Sequence, residues 1–179
     1  DYDTYLTKMV DIYIEAIIGL NNYHINHIAK KVIDQKGDRV YTFTRERIKW
    51  HKEQGHIVIA ISGSPIELVR EMSNKYNMDD FRGTIYKCDE NNNYTGEVIP
   101  MWDHESKLRA IKELQEKYDI DLSKSFAYGD TTGDFTMFES VGNPYAINPT
   151  RELIKKIMSS DEIKEKIKVI VERKDVTYN

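Results

Sequence analysis

The chain is expected to fold as an α/β protein, a layered core of helices on parallel strands, preceded by a mainly helical segment. Three observations support this. Residues 57–61, IVIAI, form a short, continuous apolar run rich in β-branched side chains, as in a strand buried on both faces. Beyond it, strand-like and helix-like segments alternate, the pattern of parallel sheets. Before it, the apolar spacing is helical.

The helical part comes first in the chain. Over residues 5–18, Leu6, Met9, Val10, Tyr13, Ile14, Ile17 and Ile18 recur at three- and four-residue intervals, with Gly19 as a stop. A second helix is expected over 22–33, broken by Gly37 and Asp38. Thr44 can cap a third running through Gln54 to Gly55. The buried strand 57–61 ends in Ser62-Gly63-Ser64-Pro65, and a helix runs from Pro65 toward Tyr76, with proline early, where its missing donor costs nothing. Residues 84–87 and 94–98 flank Asp89-Glu90-Asn91-Asn92-Asn93 and predict a β-hairpin. A helix over 106–118, a strand over 125–128, a Gly-Asp loop and a helix through Phe138 follow. The pattern ends with a strand at 145–147, a helix over 149–158 and a last strand at 168–171.

Composition narrows the function. The 179 residues, 40% hydrophobic, suffice for one well-packed domain with a small subdomain. A net charge of −4 with no basic stripe argues against nucleic acid as a partner. Cys88 is the only cysteine, so no intramolecular disulfide or cysteine-rich zinc site can form, and a reducing cytoplasm is expected. No apolar run approaches the roughly 20 residues of a membrane helix. Asn93-Tyr94-Thr95 spells a glycosylation acceptor, a triplet that chance often supplies.

Ligands of open parallel sheets bind at the carboxyl ends of strands, which directs attention to three places. Ser62-Gly63-Ser64 could present a hydroxyl, backbone N–H groups and a helix N-terminus to an anion, or could be a simple turn with Ser64 as a cap. Gly129-Asp130-Thr131-Thr132-Gly133-Asp134 sets two carboxylates four residues apart after a strand. Hard oxygens there suit Mg²⁺, although a turn Asp130 and a capping Asp134 would give the same pattern. Lys107 sits early in a helix, where the macrodipole disfavours a cation; it either serves an anionic site or is solvated. His24 and His27, three apart, have no recognisable third ligand and are expected on a surface. Trp102 and His104 lie shortly before Lys107, near a possible site mouth, and the tyrosines of the first helix are expected to pack its core.

Order and spacing of these three features resemble the haloacid dehalogenase-like hydrolases, in particular their phosphoserine phosphatase-like branch with a helical cap. Residues 57–65 (IVIAISGSP) resemble the family's second motif, Lys107 its third and 129–134 (GDTTGD) its fourth; the hairpin KCDENNNYTGEV and residues 141–149 extend the likeness. The resemblance implies a three-layer Rossmann-like core over 43–179 behind a partial helical cap, 1–42. It implies a Mg²⁺-dependent phosphatase that acts on a small phosphorylated metabolite through an aspartyl-phosphate. Ser62 and the Gly63 N–H would then bind the phosphoryl oxygens and Lys107 would neutralise charge. Asp130 would hold Mg²⁺, and Asp134 would support that metal or pair with Lys107. A silent phosphoester-binding or regulatory protein, or a phosphotransferase, would use the same scaffold. Many relatives carry Asn at the place of Gly133 and Gly at that of Ser106.

The start of the chain, DYDTYL, is superficially like the family's nucleophile motif. No apolar strand precedes Asp1, however, and Tyr5 stands where that motif has Thr or Val. The stretch instead resembles the start of a cap helix, with Asp1 and Asp3 favoured by its dipole. The nucleophile and the strand that carries it are therefore expected upstream of residue 1, and the 179 residues alone are expected to be inactive.

Overall fold

Local chemistry sets where the helices begin and stop in the computed structural model, which describes residues 2–172. Helix α1 (Tyr2–Ile17) runs as its apolar spacing predicts and stops before Gly19, whose φ is +76°. Asp3 thus lies within a helix; Asp1 lies outside the described residues. Asn21 caps α2 (Asn22–Lys36) by accepting the Tyr23 N–H at 3.1 Å. Helix α3 (Thr42–Glu53) begins two residues before Thr44, because the Glu172 carboxylate caps it by accepting the Thr42 and Phe43 N–H groups at 2.8 and 2.9 Å.

Two compact units make up the chain: Asp1–Arg39 with His51–Met101, and Val40–Trp50 with Trp102–Asn179. In the first, β1 (Ile59–Pro65) pairs in parallel with β2 (Asp80–Cys88), which pairs antiparallel with β3 (Tyr94–Ile99). The hairpin is where the Asn-rich loop predicts it. Strand β2, however, starts four residues early, because its polar first half pairs with β1 rather than β3. Helix α4 (Ile66–Lys75) connects β1 to β2 and packs on both and on α2. Ile17 and Ile25 of the helices bury with Tyr86 and Tyr94 of the hairpin, and Tyr13, Ile14, Cys88 and Val98 close around them. Each fully buried aliphatic side chain is worth roughly 1.5–3 kcal/mol.

That core holds one carboxylate. Glu67, only 3% exposed, accepts the Tyr94 hydroxyl on Oε1 at 2.8 Å, and its Oε2 has no hydrogen-bond partner among the described residues. Burial, reinforced by the charge of Glu67, pushes the Tyr13 phenol up to about 12 and the Tyr94 phenol higher still.

The second unit is built on an all-parallel sheet of β4 (Phe126–Gly129), β5 (Asn143–Ile147) and β6 (Lys168–Ile170), in that order. Helix α5 (His104–Tyr118) precedes β4, α6 (Phe135–Ser140) joins β4 to β5, and α7 (Arg151–Met158) follows β5. Ser160 caps one further helix, α8 (Asp161–Lys166), which the apolar pattern did not predict since only Ile163 of it is buried. Leu114, Phe138, Ala146, Leu153 and Ile163 fill the interior of this unit. The Arg47 guanidinium lies 4.0 Å from the Trp50 ring centre, with its Nε donating to the Tyr128 hydroxyl at 2.9 Å. Among the described residues no helix is long and apolar enough to cross a membrane.

Candidate active site

At the carboxyl end of β4 the chain turns through Gly129 and Asp130. A Cβ on Gly129 would lie 2.5 Å from the Cβ of Asp134, so only glycine lets the returning loop close. Asp134 gathers that loop: its Oδ2 accepts the N–H groups of Asp130 and Thr131, at 2.9 and 3.0 Å, and the Thr131 hydroxyl at 3.3 Å. Its other oxygen, Oδ1, receives the Lys107 ammonium at 2.5 Å. Lysine and aspartate side chains are 6% and 8% exposed.

Lys107 is delivered there by α5. Asp103 caps that helix, accepting the Ser106 N–H at 2.8 Å, while the buried Ser106 hydroxyl donates back to the Asp103 carbonyl. Burial tends to raise the Asp103 carboxyl, but the Ser106 donors, together with the Arg109 charge and the Glu105 N–H, outweigh it and hold it below the usual range. The lysine is thus buried beside a carboxylate rather than solvated, and Asp134 does both things the sequence allows. It pairs with Lys107, and it closes a capping box with Thr131 over the short 3₁₀ turn Thr132–Asp134, while making no side-chain cap bond to α6.

Asp130 differs from both. Its carboxyl belongs to a cleft of about 230 Å³ that Tyr41, Thr44, Tyr128, Gly129 and Ile147 also line. The surrounding protein pushes it above the usual carboxylate range, first by desolvation and then by the charge of Asp134, with Lys107 opposing. Its carbonyl is fixed by the Thr150 N–H at 2.8 Å, which ties the turn after β5 to the turn after β4. Asp130 is exposed at the cleft, where a divalent cation would offset the repulsion from the second anion, and its hard oxygens suit Mg²⁺. Among the described residues no group of three or more His, Cys, Asp or Glu is placed to hold a metal.

Ser62 and Gly63 belong to the first unit. They lie in an irregular stretch of β1: Ile61 stands opposite Arg82 and Pro65 opposite Thr84, so 62–64 bulge out against Gly83 alone. The Ser62 Oγ accepts the Ser64 N–H at 3.2 Å, and the Gly63 carbonyl accepts the Thr84 hydroxyl at 2.8 Å. Ser64 does not cap α4, whose N-cap residue is Pro65 with no side-chain bond. Lys107, Asp130 and Asp134 are brought together within the second unit; Ser62 and Gly63 are described within the first.

Of the lesser candidates, His24 and His27 are exposed on α2, and the His104 ring hydrogen-bonds Thr136 and so braces α5 against α6. Tyr41 and the cleft-lining side of Thr44 escaped the sequence reading, which saw in Thr44 only a helix cap. Their one sequence signal is position at the start of a helix, which does not say what they face.

The model of the haloacid dehalogenase-like hydrolases matches residues 6–139. A Streptomyces azureus protein described as an inhibition of morphological differentiation protein is 31% identical over 143 residues, 79% of this chain and 52% of its own. A probable phosphatase of Mycobacterium tuberculosis is 32% identical over 116 residues, 65% of this chain and 40% of its own. The chain thus spans about half or less of the length of these curated relatives. An apo phosphoserine phosphatase structure superposes with a TM-score of 0.64 at 18% identity, covering 96% of this chain and 80% of that one, a likeness of fold. With the family match running through β1, its bulge, Lys107 and the Gly129–Asp134 loop, the chain belongs to the haloacid dehalogenase-like hydrolases.

Proposed function

We propose that the protein containing this chain is a Mg²⁺-dependent phosphatase that hydrolyses a small, phosphoserine-like phosphomonoester through an aspartyl-phosphate. The observation that carries the reading is the buried Lys107–Asp134 pair set beside Asp130 at the carboxyl end of β4. Phosphoryl transfer asks a protein mainly for positioned charge, and here α5 brings a cation to a loop that supplies its counter-ion and a second carboxylate open to a metal.

In this reading Asp130 holds Mg²⁺, which when bound polarises the phosphoryl oxygens and screens their charge. Lys107, oriented by Asp134, faces the phosphoryl group with its remaining protons, and the Ser62 hydroxyl and Gly63 N–H bind its oxygens. None of these five groups takes the attacking role, so the reading needs a further carboxylate as the nucleophile. A cytoplasmic setting suits a chain with one cysteine.

The test is a phosphate-release assay on the complete gene product with a panel of small phosphomonoesters, phosphoserine among them, with Mg²⁺ and with a chelator. Release that the chelator abolishes is expected. No release from any ester sinks the reading, and transfer to an added alcohol in preference to water would make the enzyme a phosphotransferase.

A further inference from the structure

We infer that Thr84, on β2, is a positioning residue for anion binding by the Ser62–Ser64 bulge; the inference rests on the phosphoester reading for its substrate but not for its geometry. Thr84 is 0% exposed. Its hydroxyl stands in a chain of two bonds, accepting the Met101 N–H at 3.3 Å and donating to the Gly63 carbonyl at 2.8 Å. A hydroxyl has one proton, so the Met101 contact leaves it for Gly63.

The consequence follows from peptide planarity. The Gly63 carbonyl and the Ser64 N–H belong to one rigid unit and point in opposite directions. Holding the carbonyl on Thr84 aims the Ser64 N–H at the Ser62 Oγ, where it is found at 3.2 Å. The Ser62 oxygen then has one lone pair engaged and its own proton to give to an anionic oxygen. Released from Thr84, the Gly63 carbonyl could swing outward and set a negative partial charge where an anion must sit.

The surroundings make this bond the main restraint. Three residues, 62–64, face only Gly83 across the pairing, so sheet hydrogen bonding alone does not define their orientation. Gly83 is itself committed, since a Cβ there would lie 2.8 Å from the Ile66 Cα where α4 crosses β2. Thr84 is the next residue on β2, paired with Pro65 at the end of the bulge, and its side chain reaches the Gly63 carbonyl.

The complete gene product, Thr84→Val and Thr84→Ser are compared by calorimetric titration with inorganic phosphate and by kcat and KM on whichever ester is hydrolysed. Thr84→Val, which keeps the shape and loses the hydroxyl, is expected to bind phosphate about tenfold more weakly and to lower kcat/KM by a similar factor. Thr84→Ser is expected to stay within about twofold of the native protein, as an interaction carried by the hydroxyl requires. Phosphate affinity unchanged in folded Thr84→Val, or Thr84→Ser as weak as Thr84→Val, overturns the inference, as does a native protein that binds no phosphate. If Thr84→Val does not fold, Thr84→Cys replaces it, with a loss between the other two expected and native affinity counting against the proposal. A native protein that binds phosphate through Thr84 yet hydrolyses no ester leaves this inference standing and removes the proposed function.

Discussion

The bulge in the last residues of β1 and the loop after β4 both sit at the carboxyl end of a parallel strand, and they are held in opposite ways. The bulge is shaped by neutral groups: Thr84 on the Gly63 carbonyl, and Ser62 on the Ser64 N–H. The loop is shaped by ions, with Asp134 taking a lysine on one oxygen and three loop donors on the other. A neutral turn can lose its pin and keep its fold, because nothing charged is stranded. An ionic one cannot, since removal of either partner leaves a buried charge.

The largest expected effect breaks the ionic side. Asp134→Ala leaves the Lys107 ammonium buried without a counter-charge and frees the Asp130 and Thr131 amides, so a loss of about 3–5 kcal/mol is expected in urea denaturation. A loss below about 1 kcal/mol would mean that the loop stands without its ions. Next comes Asp130→Asn, which separates chemistry from architecture within the same loop. The side chain faces a cleft rather than the core, so the denaturation midpoint should hold while phosphate release falls on the order of a hundredfold or more. Loss of folding in this variant would show Asp130 to be structural.

The smallest effect sharpens the comparison through pH. The Asp103 carboxyl is held below its ordinary value in the fold, so its contribution to α5 is complete above about pH 4 and is lost as pH falls through the lowered folded value. Asp103→Ala should cost about 1 kcal/mol at pH 7, and the gap from the native protein should close on acidification. Urea midpoints between neutral and strongly acidic pH check both; a gap that stays constant with pH contradicts the capping account.

How much of this was legible in the sequence depended on whether a residue's signal is local. The run IVIAI, the hairpin around Asn91, Asn92 and Asn93, and the pair of aspartates in GDTTGD announce themselves through spacing. Strand β1 nevertheless begins only at Ile59 and is half-buried, with Ile57 exposed, rather than covered on both faces. The Lys107–Asp134 pair was one of two roles that only the family resemblance implied. The parallel half of β2 did not announce itself, because Asp80, Phe81 and Arg82 are too polar to look like a core strand and are paired only because β1 lies beside them. Glu67 reads as a solvated position on α4, and only the tyrosine-lined interior shows it buried. Thr84 is an ordinary strand threonine until the bulge opposite it is seen. In each case the missing information is the identity of a neighbour distant in sequence.

Gly129 has a bearing on how relatives of this chain are screened. Its lack of a side chain is demanded by the Cβ of Asp134, so steric fit alone would preserve it, and with it the lysine-aspartate pair, in a descendant that had abandoned turnover. Asp130 supports no packing of that kind and could drift in such a descendant at little cost to folding. In a survey of sequences the Gly-Asp dipeptide would therefore carry two separate messages: the glycine speaks for a scaffold that closes, and, on the function proposed above, the aspartate after it for turnover.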